Sequence, residues 1–114
     1  MKHIDLKNYI GGSFTGTKDS KTMQNINPAT GETIASIPLS SKEDVDSAIN
    51  AAKTAQSSWA GLSVKERADY LDKIADELEE NIETIAKLES MDTGKPIQLA
   101  RNVDAVRSVA NFRF

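Results

Sequence analysis

Acidic side chains near the middle of the chain form its densest set of groups that could bind a metal or act as acid and base: Glu77, Glu79, Glu80 and Glu83. Their helical spacing places them on one polar face, with Lys73 and Lys87 at distances of about one turn. Charged side chains are mostly exposed in proteins. The spacing therefore favours a solvated helix face over a catalytic cluster.

The pair Gly94-Lys95 invites comparison with a phosphate-binding loop. A Walker loop has a glycine five residues before this pair and a Ser or Thr after the lysine; here Glu89 and Pro96 occupy those positions. The single histidine, His3, has no Asp, Cys or second His at ligand spacing. The residues themselves thus predict neither phosphate binding, nor a metal site, nor a catalytic triad.

Arg107 is the one side chain that could bind a ligand and also borders a predicted apolar face. It directly follows Val106 and lies three residues after Asp104. One interpretation is an arginine whose stem covers apolar surface while its head pairs with Asp104. The other is a guanidinium that points into a pocket and holds a carboxylate through two parallel hydrogen bonds.

Size and composition indicate one small soluble segment. The chain has 114 residues, of which 39% are hydrophobic, 27% charged and only 5% aromatic. A net charge of -3 gives no electrostatic footprint for nucleic acid. No apolar run approaches the ~20 residues that span a bilayer, and the N-terminus lacks the apolar region of a secretory signal. With no cysteine there are no disulfides, and we expect a cytoplasmic location.

Residues 1–39 read as extended structure and residues 40–114 as helices. Gly11-Gly12-Ser13 predicts a hairpin between Tyr9-Ile10 and Phe14. A second hairpin joins residues 23–26 to residues 33–37 through the turn at 27–31.

Two capping boxes, Ser40 with Glu43 and Ser63 with Glu66, predict helix starts. Gly61 is expected to end the first helix and Asn81 to break the second and cap a third. Gly94 and Pro96 stop the third helix.

Each predicted helical stretch has an apolar stripe that we expect to be buried. The stripe of the first helix is Val45, Ala48, Ile49, Ala52 and Ala55; that of the stretch from Val64 to about Ser90 is Leu71, Ile74, Ala75, Leu78, Ile82, Ile85 and Leu88; and that of the last helix is Ile97, Ala100, Val103, Val106, Ala110 and Phe114. The last helix reaches Phe114 without a stop signal, so we expect a chain cut within an element.

Two turn-forming sequence motifs resemble those of a known protein family. They are Asn-Pro-Ala-Thr-Gly-Glu at residues 27–32 and Glu-Ser-Met-Asp-Thr-Gly-Lys-Pro at residues 89–96. Each alone is only a turn or a helix stop. Together, with a long helical stretch between them, they resemble the N-terminal segment of the NAD(P)-dependent aldehyde dehydrogenases. Residues 106–114 are most similar to members that act on 2-aminomuconate or 2-hydroxymuconate semialdehyde.

The resemblance implies an α/β fold with a Rossmann-type parent, of which residues 1–114 are an incomplete N-terminal part: two short β-hairpins and then three or four amphipathic helices. It implies that the helix after Gly94-Lys95-Pro96 lines the substrate tunnel and that Arg107 grips the carboxylate of an acidic semialdehyde. The family oxidises aldehydes to carboxylic acids with NAD. Its catalytic Cys, Glu and Asn lie beyond Phe114, so the chain alone is expected to be inactive.

The resemblance also implies a monovalent cation bound near Asn25, Ile26 and Asp92, although Asp92 could equally cap a neighbouring turn. It further implies a homodimer or homotetramer at full length, with an aldehyde as the ligand and with neither nucleic acid nor membrane as a partner. An alternative function is a non-catalytic helical module that binds a partner, for example an intact dehydrogenase subunit. The missing cysteine fits both, and the coding sequence after Phe114 would separate them.

Overall fold

The computed structural model describes residues 4–114. They form two compact units. The first contains the residues up to Ile26 and Glu32–Gly61, and the second contains Asn27–Gly31 and Leu62–Phe114. None of the helices in this described range is long and apolar enough to cross a membrane.

The first unit begins with five short strands. A three-stranded sheet has the order β1-β5-β4, and β2 and β3 form a separate antiparallel pair. The strands are β1 (Ile4–Asp5), β2 (Asn8–Ile10), β3 (Ser13–Thr15), β4 (Thr22–Ile26) and β5 (Thr33–Pro38). Both predicted hairpins, β2–β3 and β4–β5, are confirmed. The parallel pairing of β1 with β5 was not predicted, because a strand of two residues is too short to show alternation.

The tight turn between β2 and β3 depends on its two glycines. Gly11 and Gly12 have φ values of 60° and 81°, the left-handed conformation that a two-residue hairpin loop requires. The turn brings Tyr9 opposite Phe14, and their rings meet edge to face with centroids 5.0 Å apart.

Helix α1 (Lys42–Ala60) completes the first unit, and its capping box differs from the prediction by one residue. The cap is Ser41 with Asp44, not Ser40 with Glu43. The Ser41 N–H donates to Asp44 Oδ2 at 2.9 Å, and the Asp44 N–H donates to Ser41 Oγ at 3.3 Å. Ser40 is engaged elsewhere, since its hydroxyl accepts from the Asn8 amide at 2.8 Å. Gly61 follows the end of the helix, as predicted.

The second unit is helical. It contains α2 (Val64–Glu80), α3 (Ile82–Thr93) and a final helical run made of α4 (Ile97–Leu99), a π-helical segment (Ala100–Ala105) and α5 (Val106–Arg113). The Ser63–Glu66 capping box that opens α2 is confirmed. The break at Asn81 is confirmed too, but the capping role is wrong: its side-chain amide donates back to the Glu77 carbonyl at 2.8 Å and thus closes α2.

The π-helical segment changes which residues of the final run are buried. Ala100, Ala105 and Val109 are buried, whereas Val103 and Val106 are about half exposed. The predicted stripe is therefore correct at Ala100 and wrong at Val103, Val106, Ala110 and Phe114, which are all exposed. A π turn closes its hydrogen bond over five residues, whereas an α turn closes it over four. The next buried residue after Ala100 is therefore Ala105, one position later than an α-helical spacing of four would give.

The buried core of the described residues contains only small side chains. Its apolar members are Ala35, Ala75, Ala86, Ala100, Ala105 and Val109. No Leu, Ile, Phe or Trp of residues 4–114 is buried. Most of the predicted stripe of α1 is also exposed, with Val45 at 48% and Ile49 at 47%; Ala48 is half-buried, and the one buried residue of that helix is Asp44. Large apolar faces thus remain open to solvent.

Candidate functional site

The stop of α3 is a tightly held turn. Gly94 has φ of 73°, and its N–H donates to the Ser90 carbonyl at 3.0 Å. The Ser90 hydroxyl donates to the Lys95 carbonyl at 2.6 Å. This confirms the predicted glycine stop and fixes the point from which the final helical run leaves.

The turn at Asn27–Gly31 belongs to the same unit and is also formed as predicted. The Ala29 N–H donates to Asn27 Oδ1 at 2.9 Å, and the Gly31 N–H donates to the Asn27 carbonyl at 2.8 Å. Gly31 has φ of 73°, which only glycine adopts without strain.

Lys95 stands at the centre of an ion-pair cluster. Its ammonium contacts Glu89 Oε1 at 3.3 Å and also pairs with Asp104 Oδ2. All three side chains are about one-third exposed, so the pairs are less screened than those on an open surface. The hydrogen bond to Asp104 is the largest cause that raises the pKa of Lys95 above its ordinary 10.5; the bond to Glu89 adds to it, and burial opposes both.

Two arginines attach the final helical run to its neighbours. Arg101 forms a two-point pair with Glu83 of α3, with Nε–Oε1 at 2.6 Å and Nη2–Oε2 at 2.9 Å. Arg113 reaches α2, where Nη2 lies 2.8 Å from Asp76 Oδ1 and 2.7 Å from Glu79 Oε2. The hydrogen bond from Arg101 lowers the pKa of Glu83 below its ordinary 4.5.

Arg107 lies between these two arginines and differs from both. Its side chain is exposed, and it makes no hydrogen bond or ion pair with any residue in the described range. The fourth arginine of the chain, Arg67, donates to the Leu62 carbonyl at 2.5 Å. The interpretation in which Arg107 pairs with Asp104 is wrong, because no hydrogen bond or ion pair joins the two side chains and Asp104 pairs with Lys95 instead. A guanidinium that is free of carboxylate partners can accept an anionic ligand.

The acidic residues on α2 and α3 do not form a metal site. Glu77, Glu79, Glu80 and Glu83 are all exposed, which confirms the solvated face, and two of them pair with arginines. Across residues 4–114 no three His, Cys, Asp or Glu side chains are grouped so that they could hold a metal ion. His3 lies outside the described residues.

The three residues expected near a monovalent cation fall in different units. Asn25 and Ile26 end β4 in the first unit, where the strand register shifts between them. Asp92 lies in α3 of the second unit. The cation site stays a prediction.

Sequence reasoning missed the role of Lys95. The residue was weighed only as part of a phosphate-binding loop. Its partners Glu89 and Asp104 stand six positions before it and nine after it, and neither separation is a helical spacing. The signal was the Gly94 turn, which reverses the chain and lets a lysine reach acidic residues on both sides.

Comparisons with known proteins identify what this arrangement is similar to. The aldehyde dehydrogenase family matches residues 14–114. The 2-aminomuconic semialdehyde dehydrogenase of Danio rerio is 44% identical over 114 residues, which are 100% of this chain and 23% of that protein. The 2-hydroxymuconic semialdehyde dehydrogenase of a Pseudomonas species is 36% identical over 110 residues, 96% of this chain and 23% of that protein.

Solved structures agree with the sequence comparison. An aldehyde dehydrogenase from Bacillus cereus, solved as its NAD+ complex, superposes with a TM-score of 0.92 at 39% identity over 96% of this chain and 23% of that one. The chain thus spans about a quarter of the length of the relatives that it matches.

Proposed function

The chain belongs to the aldehyde dehydrogenase family, and we propose that residues 1–114 form the N-terminal part of an NAD-dependent enzyme that oxidises an acidic semialdehyde to a carboxylic acid. The match to two semialdehyde dehydrogenases supports the substrate class. The NAD+ complex of the Bacillus cereus relative supports the cofactor.

The guanidinium of Arg107, which is exposed and has no ion-pair partner among the residues that the structure describes, is the observation that carries the substrate proposal. Arg101 and Arg113 hold the final helical run on both sides of it, so its backbone is fixed while its side chain is free. A semialdehyde of a dicarboxylic acid keeps one carboxylate, whose two oxygens match the fork of an arginine. Arg107 is proposed to bind that carboxylate.

Binding the far end of the substrate contributes to catalysis by orientation. Fixing the carboxylate holds the aldehyde carbon in one place relative to the groups that react with it. Residues 1–114 contain no cysteine, and the family nucleophile is a cysteine, so the proposal assigns them substrate recognition and none of the bond-breaking steps.

The test compares an acidic with a neutral aldehyde in the full-length enzyme. Arg107→Ala is expected to lower kcat/KM for 2-aminomuconate semialdehyde or a stable acidic analogue by roughly 10- to 100-fold, the range for a lost hydrogen bond to a charged group. Activity on a neutral aliphatic aldehyde should stay within about two-fold. Arg107→Lys keeps the charge but loses the two-point geometry of the guanidinium. Its kcat/KM for the acidic aldehyde should therefore lie between those of the wild type and Arg107→Ala.

Arg101→Ala is the matched control, because it removes a guanidinium from the same helical run that is already paired with Glu83. Any loss it causes should be equal for the two aldehydes. An equal loss on both aldehydes in Arg107→Ala would refute the substrate role. No aldehyde oxidation by the full-length wild-type protein would refute the proposed function as a whole.

A further inference from the structure

Asp104 is the acidic residue best placed to interfere with Arg107. It is the one Asp or Glu within four positions of Arg107 in the sequence. Side chains three apart on an α-helix are neighbours and can pair when their charges are opposite; Asp104 lies in the π-helical segment directly before α5, which contains Arg107. A pair between Asp104 and Arg107 would compete with a substrate carboxylate for the guanidinium.

In the structure Asp104 pairs with a different cation. The Lys95 ammonium occupies Asp104 Oδ2. The lysine approaches from the Gly94 turn, where its carbonyl accepts from the Ser90 hydroxyl at 2.6 Å and its N–H donates to Thr93 Oγ1 at 3.3 Å. The backbone of Lys95 is therefore fixed at the base of the side chain that reaches Asp104.

We propose that Lys95 is a positioning residue for Arg107: by holding Asp104 it keeps the guanidinium free for the carboxylate of the substrate. The inference rests on the proposed function, in which Arg107 binds that carboxylate. Lys95 itself touches neither substrate nor cofactor in this account. It acts through Asp104 alone.

Removal of Lys95 should release Asp104 to Arg107. Lys95→Met keeps most of the stem and loses the charge. An exposed ion pair has a free energy of about 0.2–1 kcal/mol, so the competing pair should raise KM for the acidic aldehyde roughly two- to six-fold. The KM for a neutral aldehyde and both kcat values should stay unchanged.

Asp104→Asn separates positioning from a merely structural role. This variant also breaks the Lys95–Asp104 pair, but it removes the competitor and leaves Lys95 paired with Glu89. KM for the acidic aldehyde should therefore stay at the wild-type value, and Lys95→Met combined with Asp104→Asn should return to it. If the pair only stabilised the fold, all three variants would affect both aldehydes alike.

Lys87→Met is the charge-matched control. Lys87 is exposed on α3, and its removal changes the net charge as Lys95→Met does, without touching Asp104. It should leave KM for the acidic aldehyde unchanged. If Lys95→Met does not fold, Lys95→Gln, which retains a neutral donor for Asp104, should raise the same KM by a smaller factor.

The outcomes distinguish this inference from the proposed function. If Arg107→Ala discriminates between the aldehydes but Lys95→Met and Lys95→Gln raise KM no more than Lys87→Met, the positioning role is overturned and the proposed function stands. A rise in KM in Asp104→Asn as large as that in Lys95→Met would overturn it as well. If Arg107→Ala lowers activity on the acidic and the neutral aldehyde equally, both the positioning role of Lys95 and the proposed substrate role of Arg107 are refuted.

Discussion

Gly94 lies directly against Pro28. A Cβ built on Gly94 would stand 2.8 Å from Cγ and 3.6 Å from Cβ of that proline. The two turn-forming sequence motifs that identify the family are therefore in contact within the second unit. Glycine is needed at position 94 for two reasons, its φ of 73° and the absence of space for a side chain.

Gly94→Ala should destabilise the protein more than Gly31→Ala does. Both glycines have φ of 73°, but nothing lies within 4 Å of a Cβ built on Gly31. The left-handed conformation alone costs about 1–2 kcal/mol for alanine, and overlap with Pro28 adds to it at position 94. The free energy of unfolding of both variants, measured in urea with the full-length protein, would be compared; equal losses would contradict the contact.

Asp44 should make part of the stability depend on acid pH. The hydrogen bond from the Ser41 N–H is the largest cause that lowers its pKa below the ordinary 3.8, and contacts from the Ser41 hydroxyl and Lys18 add to it while burial opposes them. Since the folded pKa is depressed, this stabilisation is present above 3.8 and is lost as pH falls through the lower folded value.

Asp44→Asn is accordingly expected to be less stable than the wild type near neutral pH. The difference in free energy of unfolding between the two proteins should narrow below pH 3.8. Asp46→Asn is the control on the same helix, because Asp46 is half exposed and pairs with Lys42 at the surface; its effect on the free energy of unfolding should be small at every pH. Chemical unfolding at a series of pH values measures both, and a gap for Asp44→Asn that widens in acid would contradict the assignment.

The arginines of the final helical run should differ in their effect on stability. Arg101→Ala removes a two-point pair with Glu83 and should lower Tm, whereas Arg107→Ala removes no hydrogen bond or ion pair with a described residue and should leave Tm unchanged. Scanning calorimetry of the two full-length variants provides the measurement. A larger drop for Arg107→Ala would show that its guanidinium has a structural partner.

Residues 1–114 expressed alone are expected to bind a hydrophobic dye, to self-associate and to oxidise no aldehyde. Among the described residues the buried apolar side chains are five alanines and one valine, while Val45, Ile49 and Leu71 are 40–48% exposed. Open apolar faces of this kind promote association. Dye fluorescence, sedimentation and an aldehyde oxidation assay would test this, and a cooperative unfolding transition from a monomeric sample would contradict it.

Local chemistry explains which parts of the fold the sequence predicted. The Gly11-Gly12 hairpin, the Ser63–Glu66 capping box, the Asn27–Gly31 turn and the stop at Gly94 each depend on a few adjacent residues whose backbone preferences or hydrogen bonds act within one turn. They formed where predicted. The family resemblance rested on the same local phrases and is confirmed by the match to residues 14–114.

Long-range contacts decided the rest. Ser40 with Glu43 fits the capping-box pattern in the sequence, but the Ser40 hydroxyl accepts from Asn8, and Ser41 with Asp44 caps α1. The π-helical segment moves burial from Val103 and Val106 to Ala105 and Val109. Both depend on groups brought together by tertiary packing, which periodicity cannot show.

The sequence by itself determined that Arg107 borders an apolar helix face with Asp104 three residues before it, because residue types and spacing are all that this statement needs. Only the tertiary structure decided that Asp104 pairs with Lys95 and that Arg107 makes no hydrogen bond or ion pair within residues 4–114. The physical reason is that Lys95 reaches Asp104 across the Gly94 turn, through a separation of nine positions that no helical period connects.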